Sequence, residues 1–196
     1  MRATATNARL LATALTLTLA LGAGLPARAA DDYTVDPAHT TVIFKIDHGG
    51  FASIYGRFND VSGSFTVDPA ASSSSRFVIA IKADSVDTGN DKRDGHLKSP
   101  DFFNVKQFPS IAFKSTAVAK DPQGLKVTGD LTLHGVTKPV SFVLTGGKVG
   151  EFPKGVQRTG YSAEISIKRS DFGMDKMIPA AGDEVVLLIG FEGTKS

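Results

Sequence analysis

The residues able to do polar chemistry are few, and their spacing argues against most of it. After the first thirty positions the chain carries His39, His48, His96 and His134, and it has no cysteine at all. No two of these histidines stand at i, i+2 or in an H-x-x-x-H pair, so the spacing holds no metal-site motif. They read instead as hydrogen-bonded structural histidines, with His48 ending the inward face of a strand and His134 on the outward face of another. Serines are plentiful, but none sits in a G-x-S-x-G elbow between a strand and a helix. The one patch that imitates an acid/base group is Arg93, Asp94 and His96. It lies beside the turn signal Gly89-Asn90, and a charge cluster at a turn is usually a solvated salt-bridge patch. The expectation is therefore no catalytic residue and no metal.

That patch belongs to the one stretch, residues 88–113, that does not read as strand and turn. Asn90 or Asp91 can cap a short helix over 92–97, which Gly95 weakens and Ser99-Pro100 ends. Phe102, Phe103 and Phe108 follow. Charge outside and aromatics at the base describe a segment laid over the end of an apolar cavity.

Around it the chain is β. There are 20 glycines, 13 phenylalanines and no tryptophan. Alternating apolar residues mark strands over 40–48, 55–67, 76–86, 110–119, 125–134, 140–145, 160–168 and 184–192. Gly56 and Gly63 mark bends in the second. Asp121-Pro122-Gln123-Gly124 is a β-turn. The last strand, apolar on both faces for part of its length, is expected to be the most buried. About eight strands of ordinary length, each with one apolar face, form a sandwich or a closed barrel. A closed eight-stranded barrel is either filled by its own side chains or holds one apolar ligand.

The N-terminus reads as a leader. Arg2 and Arg9 precede an uncharged apolar run over 10–25, and Ala27-Arg28-Ala29 offers small residues for cleavage after Ala29. Three of the 22 basic residues lie there, which leaves 19 against 20 acidic residues and a net charge of −1. Nothing in that balance calls for nucleic acid. The expected domains are a cleaved signal peptide, 1–29, and one β-barrel domain, 30–196. The expected location is the periplasm, with the extracellular space open.

Several blocks together resemble the YceI-like family of secreted polyisoprenoid-binding proteins. They are Asp36-Pro37-Ala38-His39-Thr40 leading to Phe44 and His48; Gly56-Arg57-Phe58 with Gly63-Ser64-Phe65; Ser85-Val86-Asp87-Thr88; Arg93-Asp94-Gly95-His96-Leu97-Lys98-Ser99-Pro100-Asp101-Phe102; Phe108-Pro109 with Phe113; Gly129-Asp130-Leu131-Thr132-Leu133-His134-Gly135-Val136-Thr137-Lys138-Pro139-Val140; and Arg169-Ser170-Asp171-Phe172-Gly173-Met174. The resemblance spans residues 33–193. It implies an all-β, eight-stranded antiparallel, lipocalin-like barrel that holds a long isoprenoid chain, with no catalytic residues, no metal and no cofactor besides the lipid.

The family supplies no ligand motif, so the candidate wall comes from strand alternation. It comprises Val42, Phe44, Ile46, Phe58, Phe77, Ile79, Ile81, Phe113, Gly129, Leu131, Leu133, Phe142, Leu144, Leu187 and Ile189. Gly129, on the apolar face of the cleanest strand, is expected to leave room for a guest. The leading expectation is a periplasmic carrier or store for a polyprenol, a quinone tail or a similar long amphiphile. Two alternatives stand beside it: an accessory enzyme that uses Arg93-Asp94-His96, and a structural barrel with a filled core. Transient contact with a membrane or membrane protein, and a homodimer, are left open.

Overall fold

The computed structural model describes residues 30–196, so the leader assigned to 1–29 lies outside the described residues. Twelve strands and one helix follow in order: β1 (Asp31–Val35), β2 (Thr41–His48), β3 (Ala52–Phe58), β4 (Val61–Val67), β5 (Arg76–Lys82), β6 (Val86–Asp87), α1 (Asp91–Leu97), β7 (Ser110–Asp121), β8 (Gly124–Leu133), β9 (Val136–Gly146), β10 (Gly150–Glu151), β11 (Gln157–Lys168) and β12 (Ala181–Lys195).

The eight expected strands and the twelve observed ones are reconciled by three kinks, each dividing one long strand in two, and by the two-residue β10, which was not expected. A short 3-10 turn, Pro37–His39, separates β1 from β2, yet both pair with β12: β1 with its C-terminal end, β2 with the rest. Asn59-Asp60 separates β3 from β4, and the 3-10 turn Ala83–Ser85 separates β5 from β6. The second and third kinks are bonded to each other, Asn59 N–H to Ser85 C=O at 3.1 Å and Lys82 N–H to Asp60 C=O at 3.0 Å. Each pair is thus one long bent strand, and the β3–β4 and β5–β6 pairs bend at a common level.

With those pairs joined, the barrel closes. Its ring runs β11-β9-β8-β7-β5-β4-β1-β12 and returns to β11, every pairing antiparallel. Above the kinks β2, β3 and β6 take the places of β1, β4 and β5. The β11–β9 contact is short, with only Tyr161↔Gly146 and Ser162↔Thr145 paired. The barrel is therefore tight at one end and splayed at the other.

Turn chemistry accounts for one revised boundary. His134 was expected on the outward face of its strand. Leu133 pairs directly with Val136, so His134-Gly135 is a two-residue hairpin loop, with φ of 51° and 75°. Two consecutive positive φ values are the geometry whose twist suits a tight hairpin. The His134 ring then leaves the strand, meets Phe108 edge-on at 4.8 Å and bonds the Phe172 carbonyl at 3.1 Å.

Two core clusters divide the barrel interior. At the tight end Tyr33, Phe65, Phe77, Tyr161 and Phe191 pack in stacked and edge-to-face contacts with centroids 5.2–6.3 Å apart. This aromatic plug fills the cross-section. Toward the splayed end Val42, Phe44, Phe58, Ile111, Leu133 and Phe172 form a second cluster. β12 is not the most buried strand, because its outward-facing Leu188 is 37% exposed. An apolar residue on the outer wall of a barrel has no second layer to cover it.

Candidate functional site

Between the plug and the splayed end the strands enclose a cavity of about 330 Å³. That lies at the low end of the range for small-molecule sites. Its floor is the plug, through Val35, Phe77, Leu144 and Phe191. Its wall comes from inward-facing alternate residues. Every expected wall residue lines it except Gly129: Val42, Phe44 and Ile46 of β2, Phe58 of β3, Phe77, Ile79 and Ile81 of β5, Phe113 of β7, Leu131 and Leu133 of β8, Phe142 and Leu144 of β9, and Leu187 and Ile189 of β12.

Gly129 is corrected by its surroundings. A Cβ built on it would meet Phe113 Cζ and the Lys114 carbonyl oxygen, each at 2.5 Å. The absent side chain admits the Phe113 ring, so Phe113 forms the cavity surface where the glycine was expected to.

Other wall residues went unselected. Val140, Ala163, Ile165 and Ile167 line the cavity and carry the same alternation in sequence. They face the region where β9 and β11 no longer pair. Arg169, Met174 and Met177 line it from the irregular segment before β12, where no periodicity marks them.

Polar groups collect at the splayed end. Thr88, Arg93 and His96 approach it from the 88–108 segment, Arg169 from the turn that follows β11, and Asp47 and His48 from the end of β2. The helix that presents Arg93 and His96 is capped as its sequence suggests, with the Asn90 side chain accepting from Arg93 N–H at 3.0 Å. Of the three phenylalanines beyond it, Phe102 and Phe103 line the cavity, and Phe103 meets Phe58 edge-on at 5.5 Å. Phe108 instead covers the His134-Gly135 turn.

Arg93, Asp94 and His96 do not form a mutual salt-bridge patch. Arg93 Nε donates to Thr88 Oγ1 and its Nη2 to the Thr88 carbonyl, both at 2.7 Å. Asp94 accepts from the Thr88 N–H at 3.0 Å and from its hydroxyl at 2.5 Å. His96 pairs with Asp101 at 2.9 Å, which lowers the Asp101 pKa. Two of the three thus clamp one threonine while the third faces elsewhere.

Arg169 is the other cation at this end, and it is buried. Its guanidinium bonds the carbonyls of Met174 (2.6 Å), Gly182 (2.8 Å) and Ala181 (2.9 Å) and lies 5.8 Å from the centre of the Phe102 ring. Burial pushes its pKa down, opposed by the nearby Asp183 and Asp175. The rigid fork fixes the segment before β12 against the barrel, a task a lysine does not match. Among the described residues, no three His, Asp or Glu side chains converge as metal ligands.

The comparisons with known proteins agree with this architecture. The model of the YceI-like domain matches residues 33–192. Protein YceI of Escherichia coli strain UMN026 is 41% identical over 168 residues, which cover 85% of this chain and 88% of that one. The crystal structure of the Campylobacter jejuni YCEI protein superposes with a TM-score of 0.69 at 32% identity, covering 76% of this chain and 90% of that one. A polyisoprenoid binding domain from Saccharophagus degradans, implicated in plant cell wall breakdown, shares the fold with a TM-score of 0.63 at 18% identity, over 84% of this chain and 98% of that one. This chain belongs to the YceI-like domain family.

Proposed function

We propose that this protein is an exported, periplasmic carrier or store that holds one long isoprenoid-type chain, a polyprenol or quinone tail, or a similar amphiphile, in its barrel. The observation that carries this reading is the polarity of the cavity along its axis. The floor is aromatic, the wall is aliphatic and aromatic, and the charged groups stand at the splayed end. An amphiphile fits in one orientation only, with the chain toward Phe77 and Phe191 and the polar end near Thr88, Arg93, His48 and His96. Each methylene moved from water into such a wall contributes about 0.8 kcal/mol, so a long chain binds with few polar contacts. The Saccharophagus degradans domain of the same fold is described as binding polyisoprenoid, which supports the ligand class.

The test is native mass spectrometry of protein produced with its leader and purified without detergent, followed by organic extraction. A bound mass that extracts as a prenyl lipid or another long amphiphile is expected. Protein that arrives empty and takes up no added polyprenol or ubiquinone would refute the reading.

A further inference from the structure

The rim of the splayed end carries apolar side chains that the fold holds in solvent. The β2–β3 turn consists of Gly49, Gly50 and Phe51, and both glycines have positive φ, at 61° and 76°. Asp47 accepts from Gly50 N–H at 2.8 Å, and Phe51 N–H returns to the His48 carbonyl at 3.1 Å. The turn is thus tied down, yet its phenylalanine is 90% exposed. Burying such a ring is worth about 1.5–3 kcal/mol, so display at a fixed tip calls for an apolar partner.

The neighbouring loop does the same. Met177 (49% exposed) and Ile178 (39%) stand just before β12, and Met177 is held in the left-handed region at φ 65°. The two loops abut: His48 pairs with Ala181, and a Cβ on Gly49 would lie 3.8 Å from the Ala180 carbonyl oxygen. Met177 also lines the cavity. Met177 therefore links the cavity lining to the exposed apolar side chains of the rim.

We infer that this rim, Phe51 with Met177 and Ile178, docks on the surface of a lipid bilayer and brings the splayed end of the cavity against it. Continuity with the cavity selects the occupant. A bilayer is the medium in which a guest of that cavity dissolves, and direct contact spares the guest a passage through water. The inference rests on the carrier reading for its purpose but not for its measurement. Charge at the rim is mixed, with Asp47, Asp175 and Asp101 beside His48 and Lys176. Docking is therefore driven by apolar insertion and does not need anionic lipid.

The opposite end provides an internal control. Phe152 is 74% exposed there, beyond the aromatic plug and without access to the cavity. Protein shown by intact mass to lack its apolar leader is floated with phosphatidylcholine vesicles at low and high salt. The native protein is expected to bind, with little change on adding salt. Phe51→Ser is expected to weaken partition about tenfold or more. Met177→Asn, which tolerates the left-handed backbone, weakens it further in combination, and Phe152→Ser leaves it unchanged. Circular dichroism confirms that each variant is folded, and extracted lipid is measured in parallel.

Absence of vesicle binding by the native protein overturns the inference, even if its cavity is loaded. Equal loss on Phe152→Ser also overturns it. So does a native dimer that Phe51→Ser dissociates without any vesicle binding, since the rim would then fit a second copy of this chain. Vesicle binding by a protein that carries no extractable lipid and takes up no added polyprenol or ubiquinone upholds docking and refutes the carrier reading alone.

Discussion

The Phe113 ring occupies the space that a side chain on Gly129 would need. Glycine within a strand sacrifices packing and backbone entropy, and here the compensation is an aromatic from the adjacent strand pressed onto the bare backbone. The Lys114 carbonyl closes the same space from another direction. Ring and backbone cannot both retreat, so Gly129→Leu overpacks the site and costs roughly 1–3 kcal/mol or more. Urea or thermal melts are expected to show that loss. A variant as stable as the parent but stripped of lipid would mean that the space belongs to the guest after all.

The extent to which sequence revealed this site follows from the range of the interactions that set each part. Face parity is local, and it put Val42, Phe44 and Ile46, or Leu131 and Leu133, on the face that lines the cavity. Parity says nothing about what lies above a residue, and Gly129 has the right parity under the wrong neighbour. Ile165 and Ile167 alternate as plainly as any wall residue and were legible. Arg169, Met174 and Met177 were not, because their segment has no period and its position depends on the bonds Arg169 makes across the chain. β1 was missed because Asp31-Asp32-Tyr33-Thr34-Val35 is short and mostly polar. Tyr33 and Val35 become core only through pairing with β4 and β12.

The clamp on Thr88 predicts a structural penalty in the patch that imitates an active site. Arg93 binds the threonine hydroxyl and carbonyl, and Asp94 binds its N–H and hydroxyl. Arg93→Ala and Asp94→Ala each remove two of these bonds. Charge-assisted bonds contribute about 1.5–3 kcal/mol, less where water replaces them. Both variants are expected to melt earlier, and because the apolar chain supplies most of the binding, the bound lipid per folded molecule is expected to change little even without the Arg93 guanidinium near its polar end. A hydrolytic or redox turnover that disappears in folded His96→Ala protein would overturn this assignment.

Acid should loosen the tight end before it touches the wall. The Arg158 guanidinium, 2.6 Å away, is the main cause that lowers the Asp36 carboxyl from the usual 3.8 to about 2, and His39 adds to it at 2.9 Å. A carboxylate with a folded pKa below its unfolded value stabilises the fold at higher pH, where it is ionised in both states. The contribution is therefore complete above about pH 5 and declines as pH falls through the ordinary carboxylate range. It is lost on falling through the folded value near 2. Comparing native protein with Asp36→Asn below pH 5 reads the contribution of this carboxylate directly. The gap in urea midpoint is expected to narrow steadily between about pH 5 and pH 2. A gap that stays constant across that window would show that Asp36 acts only through its turn geometry.

Ala163 offers a way to fill the cavity without touching its polar end. It lies on β11 just past the last residue paired with β9, and its methyl faces the interior. Beyond it the two strands separate, and Val140 and Phe142 of β9 look toward Ile165 and Ile167 of β11 across the space. A phenylalanine at 163 would project into volume that a guest chain needs. Adding bulk to a packed core is costly, whereas adding it to a real cavity is not. Ala163→Phe is therefore expected to remain folded, with a melting temperature near or above that of lipid-free parent protein. Its extractable lipid should fall by most of the parent load, and a guest that remains should be shorter. Full-length lipid at full occupancy in a folded Ala163→Phe protein would place the guest elsewhere than this cavity, and a strongly destabilised protein would show that the space beside β11 is already filled.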